Sequence, residues 1–147
     1  MSELGIAIIG CGRVGRMRGK IASEFPGISW IGLCDLNEDI GKQLQKDINA
    51  DYFTTDYAEL IQRNEVDAVI VATSTWSHFE PALITIENKK KLFIEKPLTL
   101  DATQSKFLIS KIDQYNSDVC VGYTQRFRRK FISAKEKIEN SQIGDLS

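Results

Sequence analysis

The stretch Gly10-Cys11-Gly12-Arg13-Val14-Gly15 follows the apolar run Ile6-Ala7-Ile8-Ile9 and precedes a helical pattern. Glycines at this spacing suit a turn that cradles phosphate. Gly10 permits a tight turn off a strand. Gly12 lacks the Cβ that would keep a pyrophosphate from the backbone, and Gly15 lets the following helix lie close to the strand. The helix start then offers unpartnered N–H groups and the positive end of its dipole. Asp35 closes the next apolar run about 20 residues beyond the third glycine, the separation at which an acid accepts hydrogen bonds from adenosine ribose hydroxyls. Glycine-rich turns also occur in kinases, in methyltransferases and in loops that bind nothing. Asp35, with Asn37-Glu38-Asp39 after it, has the alternative of a turn residue or helix cap, but strand end and spacing agree on the ribose role. Strand, turn, helix and acid together point to dinucleotide binding.

The elements that must position these residues follow from periodicity. Val14, Met17, Ile21, Ala22 and Phe25 recur at helical spacing, and Met17 and Phe25 read as core. Pro26-Gly27 turns the chain. The run 28–34 is apolar on both faces, as suits a parallel strand covered on each side. Glu38 to Ile48 reads as a second helix, Tyr52-Phe53 as a short strand, and Thr55 or Asp56 as the cap of a third helix with Tyr57, Leu60 and Ile61. Val66 to Ala72 is the clearest buried strand. A polar loop, Thr73-Ser74-Thr75-Trp76, leads to a helix from about Ser77 to Asn88. Strands are expected at 91–94 and 118–123, with helices from Asp101 through Ile112 and from about Arg129 to Asn140. Strands alternating with helices imply right-handed crossovers and an α/β fold: a Rossmann-like, doubly wound parallel sheet in three α/β/α layers. The polar loops at Gly10, Asp35, Thr73, Glu95 and Tyr123 each follow a strand, so they should converge beyond the carboxyl ends of the sheet.

At 147 residues the chain suits one domain with a full core. The net charge of −1 gives no reason to expect nucleic acid or an anionic membrane as partner. The basic runs Lys89-Lys90-Lys91 and Arg128-Arg129-Lys130 read as solvated surface. No apolar run is long enough to span a bilayer, and the N-terminus enters a strand without a basic, apolar leader, so a cytoplasmic protein is expected. Cys11, Cys34 and Cys120 are odd in number and lie in or beside strands, which suits buried free thiols in a reducing compartment. No metal-ligand pattern, repeat or linker is evident.

With these motifs in view, the chain resembles the N-terminal domain of the Gfo/Idh/MocA oxidoreductases, the glucose–fructose oxidoreductase and inositol dehydrogenase group. The likeness covers nearly the full length. It rests on the glycine turn, on Cys34-Asp35, on 71–75 with His78, on Phe93-Ile94-Glu95-Lys96-Pro97-Leu98 and on 121–127. Glu95-Lys96-Pro97 is the most specific of these. The resemblance implies NAD binding, with NADP less suited, and hydride transfer at a secondary alcohol of a sugar, cyclitol or related small molecule. It implies a cofactor site of Gly10, Gly12, Arg13, Val14, Gly15, Asp35, Thr73, Ser74, His78, Glu95, Lys96 and Pro97. Lys96 would be catalytic, reaching both the nicotinamide end and the reacting hydroxyl, where an ammonium orients the alcohol and favours loss of its proton. Pro97 restricts Lys96 to an extended conformation. Glu95 would hold this loop or the nicotinamide ribose. Lys96, Tyr123 and Arg126 would face the substrate. His78, the single histidine, would lie over the cofactor or begin an exposed helix.

The resemblance further implies a dinucleotide-binding domain over 1–125. Residues 126–147 would then start the connection to a second, α+β substrate domain, which in the family supplies an Asp and a His for proton transfer. The expected partner is therefore a small molecule, with a homo-oligomer formed through apolar surface that would otherwise face that domain. A dinucleotide-binding module without activity of its own is the alternative. A methyltransferase would share the glycine turn and the acid but has no need of Glu95-Lys96-Pro97.

Overall fold

The computed structural model describes residues 3–144, so Asp145 and the last part of the expected 126–147 connection lie outside it. In chain order the elements are β1 (Leu4–Ile9), α1 (Arg13–Ser23), β2 (Ile28–Cys34), α2 (Glu38–Ile48), β3 (Tyr52–Thr54), α3 (Tyr57–Gln62), β4 (Ala68–Val71), α4 (Phe79–Glu87), β5 (Lys91–Ile94), α5 (Ala102–Tyr115), β6 (Val119–Val121) and α6 (Arg129–Glu139). Short 3₁₀ turns at Thr75–Ser77 and Thr124–Phe127 precede α4 and α6. The sheet has six strands in the order β3-β2-β1-β4-β5-β6, every neighbouring pair parallel. The order reverses between β1 and β4, which is where a crevice opens in such sheets.

Local chemistry fixes the helix starts. Asn37 accepts from Ile40 N at the head of α2, Asp56 from Ala58 N and Glu59 N at the head of α3, and Asp101 from Thr103 N at the head of α5. Helix α2 ends at Asn49, whose left-handed φ of 51° asparagine tolerates. Strand β4 is shorter than the apolar run suggests, because Val66 N already donates to Arg63 O in a turn. Helix α4 starts at Phe79 because residues 75–77 form the 3₁₀ turn. Lys90 is not solvated surface: its ammonium donates to Arg63 O and Val66 O.

Alternation along the strands separates two cores. Ile8, Ile31 and Leu33 pack with Ala22, Leu44 and Ile48 under α1 and α2. Ala7, Ile9, Val69, Val71, Leu92 and Ile94 pack with Leu60, Ile61, Ala82, Ile86 and Leu108 under α3, α4 and α5. Right-handed crossovers running one way to β3 and the other way to β6 place two helices on the first face and three on the second. Half of the first face, over β4, β5 and β6, is therefore uncovered. It forms an apolar groove of about 520 Å³ with Ile6, Ile70, Phe93 and Cys120 on its floor and Ile21 and Phe25 on its wall.

That half-open face overturns two expectations from the sequence. Met17 and Phe25 are exposed, not core. Small residues, Gly15, Gly19 and Ala22, form the buried face of α1, which draws the helix close to the sheet and leaves its larger side chains outside. Cys120 is exposed too, because it points to the side of β6 that no helix covers, whereas Cys11 and Cys34 are buried as expected. Helix α6 is exposed along its whole length. Among the described residues no helix is long and apolar enough to cross a membrane.

Candidate cofactor crevice

At the carboxyl ends of β1, β2 and β4 lies a cleft of about 600 Å³, walled by Gly10, Gly12, Asp35, Leu36, Tyr57, Thr73, Ser74, Trp76 and Glu80 among others. The three glycines of the turn have separate causes. Gly10 has φ +93°, and a Cβ there would stand 2.8 Å from the backbone of Ala72 and Thr73. A Cβ on Gly15 would stand 1.7 Å from Gly10 O, so helix and turn touch only because that atom is missing. A Cβ on Gly12 would meet nothing within 4 Å. Packing does not require glycine there, and the space it leaves opens into the cleft.

Helix α1 begins at this turn with Gly12 as N-cap and no side-chain cap, and its first turn carries no acidic residue. The first intrahelical bond is Arg16 N to Gly12 O. The N–H groups of Arg13, Val14 and Gly15 therefore have no helical acceptor, and the helix dipole adds positive potential at the same point. The residues fit a pyrophosphate: a space free of Cβ, with unpartnered donors at its edge.

Asp35 stands on the far rim. Its Oδ2 accepts from Cys11 N at 2.7 Å and its Oδ1 from Asn37 N at 2.9 Å. The acid is thus docked onto the glycine turn, and each oxygen keeps a further lone pair for a ligand hydroxyl. Burial first, and then the Asp35 carboxylate, push the thiols of Cys11 and Cys34 up to about 12. Both are protonated and unreactive at neutral pH.

Opposite the turn, Thr73 and Ser74 form the wall that follows β4. Trp76 is 78% exposed and Leu36 87% exposed, both lining the cleft. Neither residue belongs to the site expected from the sequence. An exposed Trp in an otherwise polar loop was the available signal, since flat apolar walls suit an aromatic base.

His78 neither begins an exposed helix nor offers a free ring nitrogen to a ligand. It is 1% exposed, with Nδ1 2.9 Å from Pro97 O and Nε2 3.2 Å from Thr73 O. The ring bridges the loop after β4 to the loop after β5. Glu95 is likewise committed within the protein: its Oε1 accepts from Arg18 Nε at 2.9 Å and from Arg18 Nη2 at 2.6 Å. Between them Lys96 is exposed, and its peptide to Pro97 is cis. Tyr123 and Arg126 are exposed beyond the end of β6. Lys96, Tyr123 and Arg126 follow the adjacent strands β5 and β6, outside the cleft that holds the glycine turn and Asp35. Among the described residues no cluster of His, Cys, Asp or Glu could hold a metal ion.

A family model for oxidoreductases with an NAD-binding Rossmann fold, GFO_IDH_MocA, matches residues 4–123. Scyllo-inositol 2-dehydrogenase (NAD(+)) of Bacillus subtilis is 30% identical over 139 residues, which make up 94% of this chain and 41% of that protein. Myo-inositol 2-dehydrogenase of Thermotoga maritima is 30% identical over 95% of this chain and 42% of its own length. The crystal structure of scyllo-inositol dehydrogenase from Lactobacillus casei, with bound NAD(H) and scyllo-inositol, superposes with a TM-score of 0.91 over 98% of this chain and 43% of that one. At 23% identity that likeness shows the shared fold. The chain spans about two fifths of the length of the curated relatives it matches.

Proposed function

The chain belongs to the Gfo/Idh/MocA oxidoreductase family, and we propose that it forms the NAD-binding part of a dehydrogenase acting on a secondary alcohol of a cyclitol or sugar. The observation that carries the reading is Gly12: glycine where no packing demands it, open to the cleft and beside unpartnered N–H groups at the head of α1. The names of the inositol dehydrogenases among its relatives support the substrate class.

The residues divide the work by position. The first turn of α1, from Arg13 to Gly15, holds the pyrophosphate by backbone N–H groups. Asp35 accepts from the adenosine ribose hydroxyls and repels a phosphate placed there, which favours NAD over NADP. Trp76 and Leu36 flank the adenine, and Thr73 and Ser74 line the path toward β5. Bound NAD supplies the hydride acceptor. Lys96, beyond β5, holds the alcohol oxygen by its ammonium and favours loss of the hydroxyl proton. Tyr123 and Arg126 stand on the adjacent strand end, where a polyol would offer further hydroxyls. Residues 126–147 lead toward a second, α+β domain that completes the pocket. Small polyols are the expected partners, in a cytoplasmic protein that binds neither nucleic acid nor membrane; these 147 residues by themselves self-associate through apolar surface that would otherwise face the second domain.

Calorimetric titration with NAD, NADP and S-adenosylmethionine tests the cofactor. Saturable NAD binding with no binding of S-adenosylmethionine is expected. S-adenosylmethionine binding in place of NAD would make the glycine turn that of a methyltransferase.

A further inference from the structure

Lys96 is held by its neighbours, not by contacts of its own. Among the described residues its ammonium takes part in no ion pair. Pro97, on one side, has its carbonyl 2.9 Å from His78 Nδ1. Glu95, on the other, donates its backbone N–H to Val71 O and takes two guanidinium N–H bonds from Arg18 on a single carboxylate oxygen. The Arg18 and Glu95 side chains are only 19% and 14% exposed, so water screens the pair weakly. The guanidinium also lies over the Phe93 ring, 4.8 Å from its centroid, a second contact that holds it in place. On the remaining side, a Cβ at Gly122 would come 3.0 Å from Glu95 Oε2, so glycine at that position leaves the carboxylate its room.

Arg18 belongs to α1, the helix whose first turn lies at the glycine turn, while Glu95 precedes Lys96 at the end of β5, outside the cleft. One ion pair therefore joins the element that anchors the cofactor to the loop that presents the ammonium. We propose that Arg18 is a positioning residue for Lys96, setting the distance between that ammonium and the nicotinamide end of a cofactor anchored on α1. The inference rests on the NAD-binding reading above. An ion pair that served stability alone would have no reason to distinguish one half of the cofactor from the other.

That distinction is the test. ADP carries the adenosine and the pyrophosphate but not the nicotinamide riboside, so it reports on the glycine turn and Asp35 alone. NAD and ADP affinities are measured by calorimetry for the unmodified chain, Arg18→Met, Arg18→Lys, Lys96→Ala and Arg18→Met/Lys96→Ala. Arg18→Met is expected to weaken NAD binding about tenfold, the size of one lost charge-assisted contact, and ADP binding less than about twofold. Arg18→Lys, with one point donor in place of a planar fork, should fall between. Once Lys96 is alanine, removing Arg18 should cost nothing further, because the two act as one unit. Equal losses for NAD and ADP, no loss for either, or additive losses in the double variant would overturn the inference. Should Arg18→Met not fold, Glu95→Gln provides the same NAD-to-ADP comparison. An unmodified chain that binds neither ligand would instead refute the cofactor reading.

Discussion

Asp35 Oδ2 accepts a hydrogen bond from Cys11 N at 2.7 Å, so the acid ending β2 is seated on the glycine turn ending β1. The contact ties the two loops together and leaves each oxygen of this cleft-lining acid a further lone pair. Asp35→Ala removes that support and, with it, the acceptor proposed for the ribose hydroxyls. A hydrogen bond to a charged group contributes about 1.5–3 kcal/mol, so NAD affinity should fall by at least about tenfold. Discrimination against NADP should shrink at the same time, since the repelling charge is gone. The measurement is a pair of titrations with each cofactor, and equal affinity of the unmodified chain for both would contradict the role given to Asp35.

Gly12→Val separates the ligand's use of the turn from the fold's. A Cβ at Gly12 meets nothing, whereas one at Gly10 or Gly15 collides with backbone. Gly12→Val should therefore melt within a few degrees of the unmodified chain, an effect below about 1 kcal/mol. It should nevertheless lose detectable NAD binding, because the branched side chain takes the pyrophosphate's place. Gly15→Val should unfold. Thermal melts and NAD titrations on the two variants decide it: normal NAD binding by Gly12→Val would remove the observation on which the cofactor reading rests.

The alternation of strands and helices was legible because buried parallel strands are continuous apolar runs and the heads of α2, α3 and α5 carry Asn or Asp caps. Helix α2 matches its expected limits, Glu38–Ile48, at both ends. The glycine turn was legible because each glycine answers to backbone sterics alone. What failed depended on which face of the sheet each crossover covers. Met17, Phe25 and Cys120 look like core until the half-open face is known. The ties around Lys96 were not legible either. Arg18 and Glu95 are 77 residues apart, and neither pairs with a residue near it in sequence. His78 lies five residues after Thr73, in a polar loop, yet is buried by its bond to the loop after β5.

The cysteines give a prediction about pH. Burial and the Asp35 carboxylate raise the Cys11 and Cys34 thiols from 9.0 to about 12 in the folded chain. In the unfolded chain they ionise near the ordinary value. Between these limits the unfolded state releases protons that the folded state retains, so stability falls as pH rises from 9.0 toward about 12 and is unaffected below that window. Urea melts on either side of pH 9 should show the fall, and Cys11→Ala/Cys34→Ala should show less of it. In the folded chain at neutral pH a thiol reagent should modify Cys120 quickly and the other two slowly. Rapid labelling of Cys11 would mean that the turn opens.

The activity of these 147 residues follows from what surrounds Lys96. Its ammonium is exposed, and the nearby histidine, His78, already has both ring nitrogens against backbone carbonyls. Glu95, next to Lys96, is engaged by Arg18 through Oε1, and the cleft walls do not extend over Lys96. Positioning contributes roughly 7–11 kcal/mol to a two-reactant barrier, and a general base a further factor of about 10²–10⁴. The chain should therefore bind NAD and turn over inositols negligibly. NADH formation, followed at 147 residues with a panel of inositols and sugars, measures this. Joining the chain to the remainder of a complete relative's length should restore turnover, and Lys96→Ala in that longer protein should remove it by several orders of magnitude. Rapid turnover by the 147 residues alone, abolished by Lys96→Ala, would show that these residues already contain a complete catalytic site and would overturn the proposal that a further domain is needed.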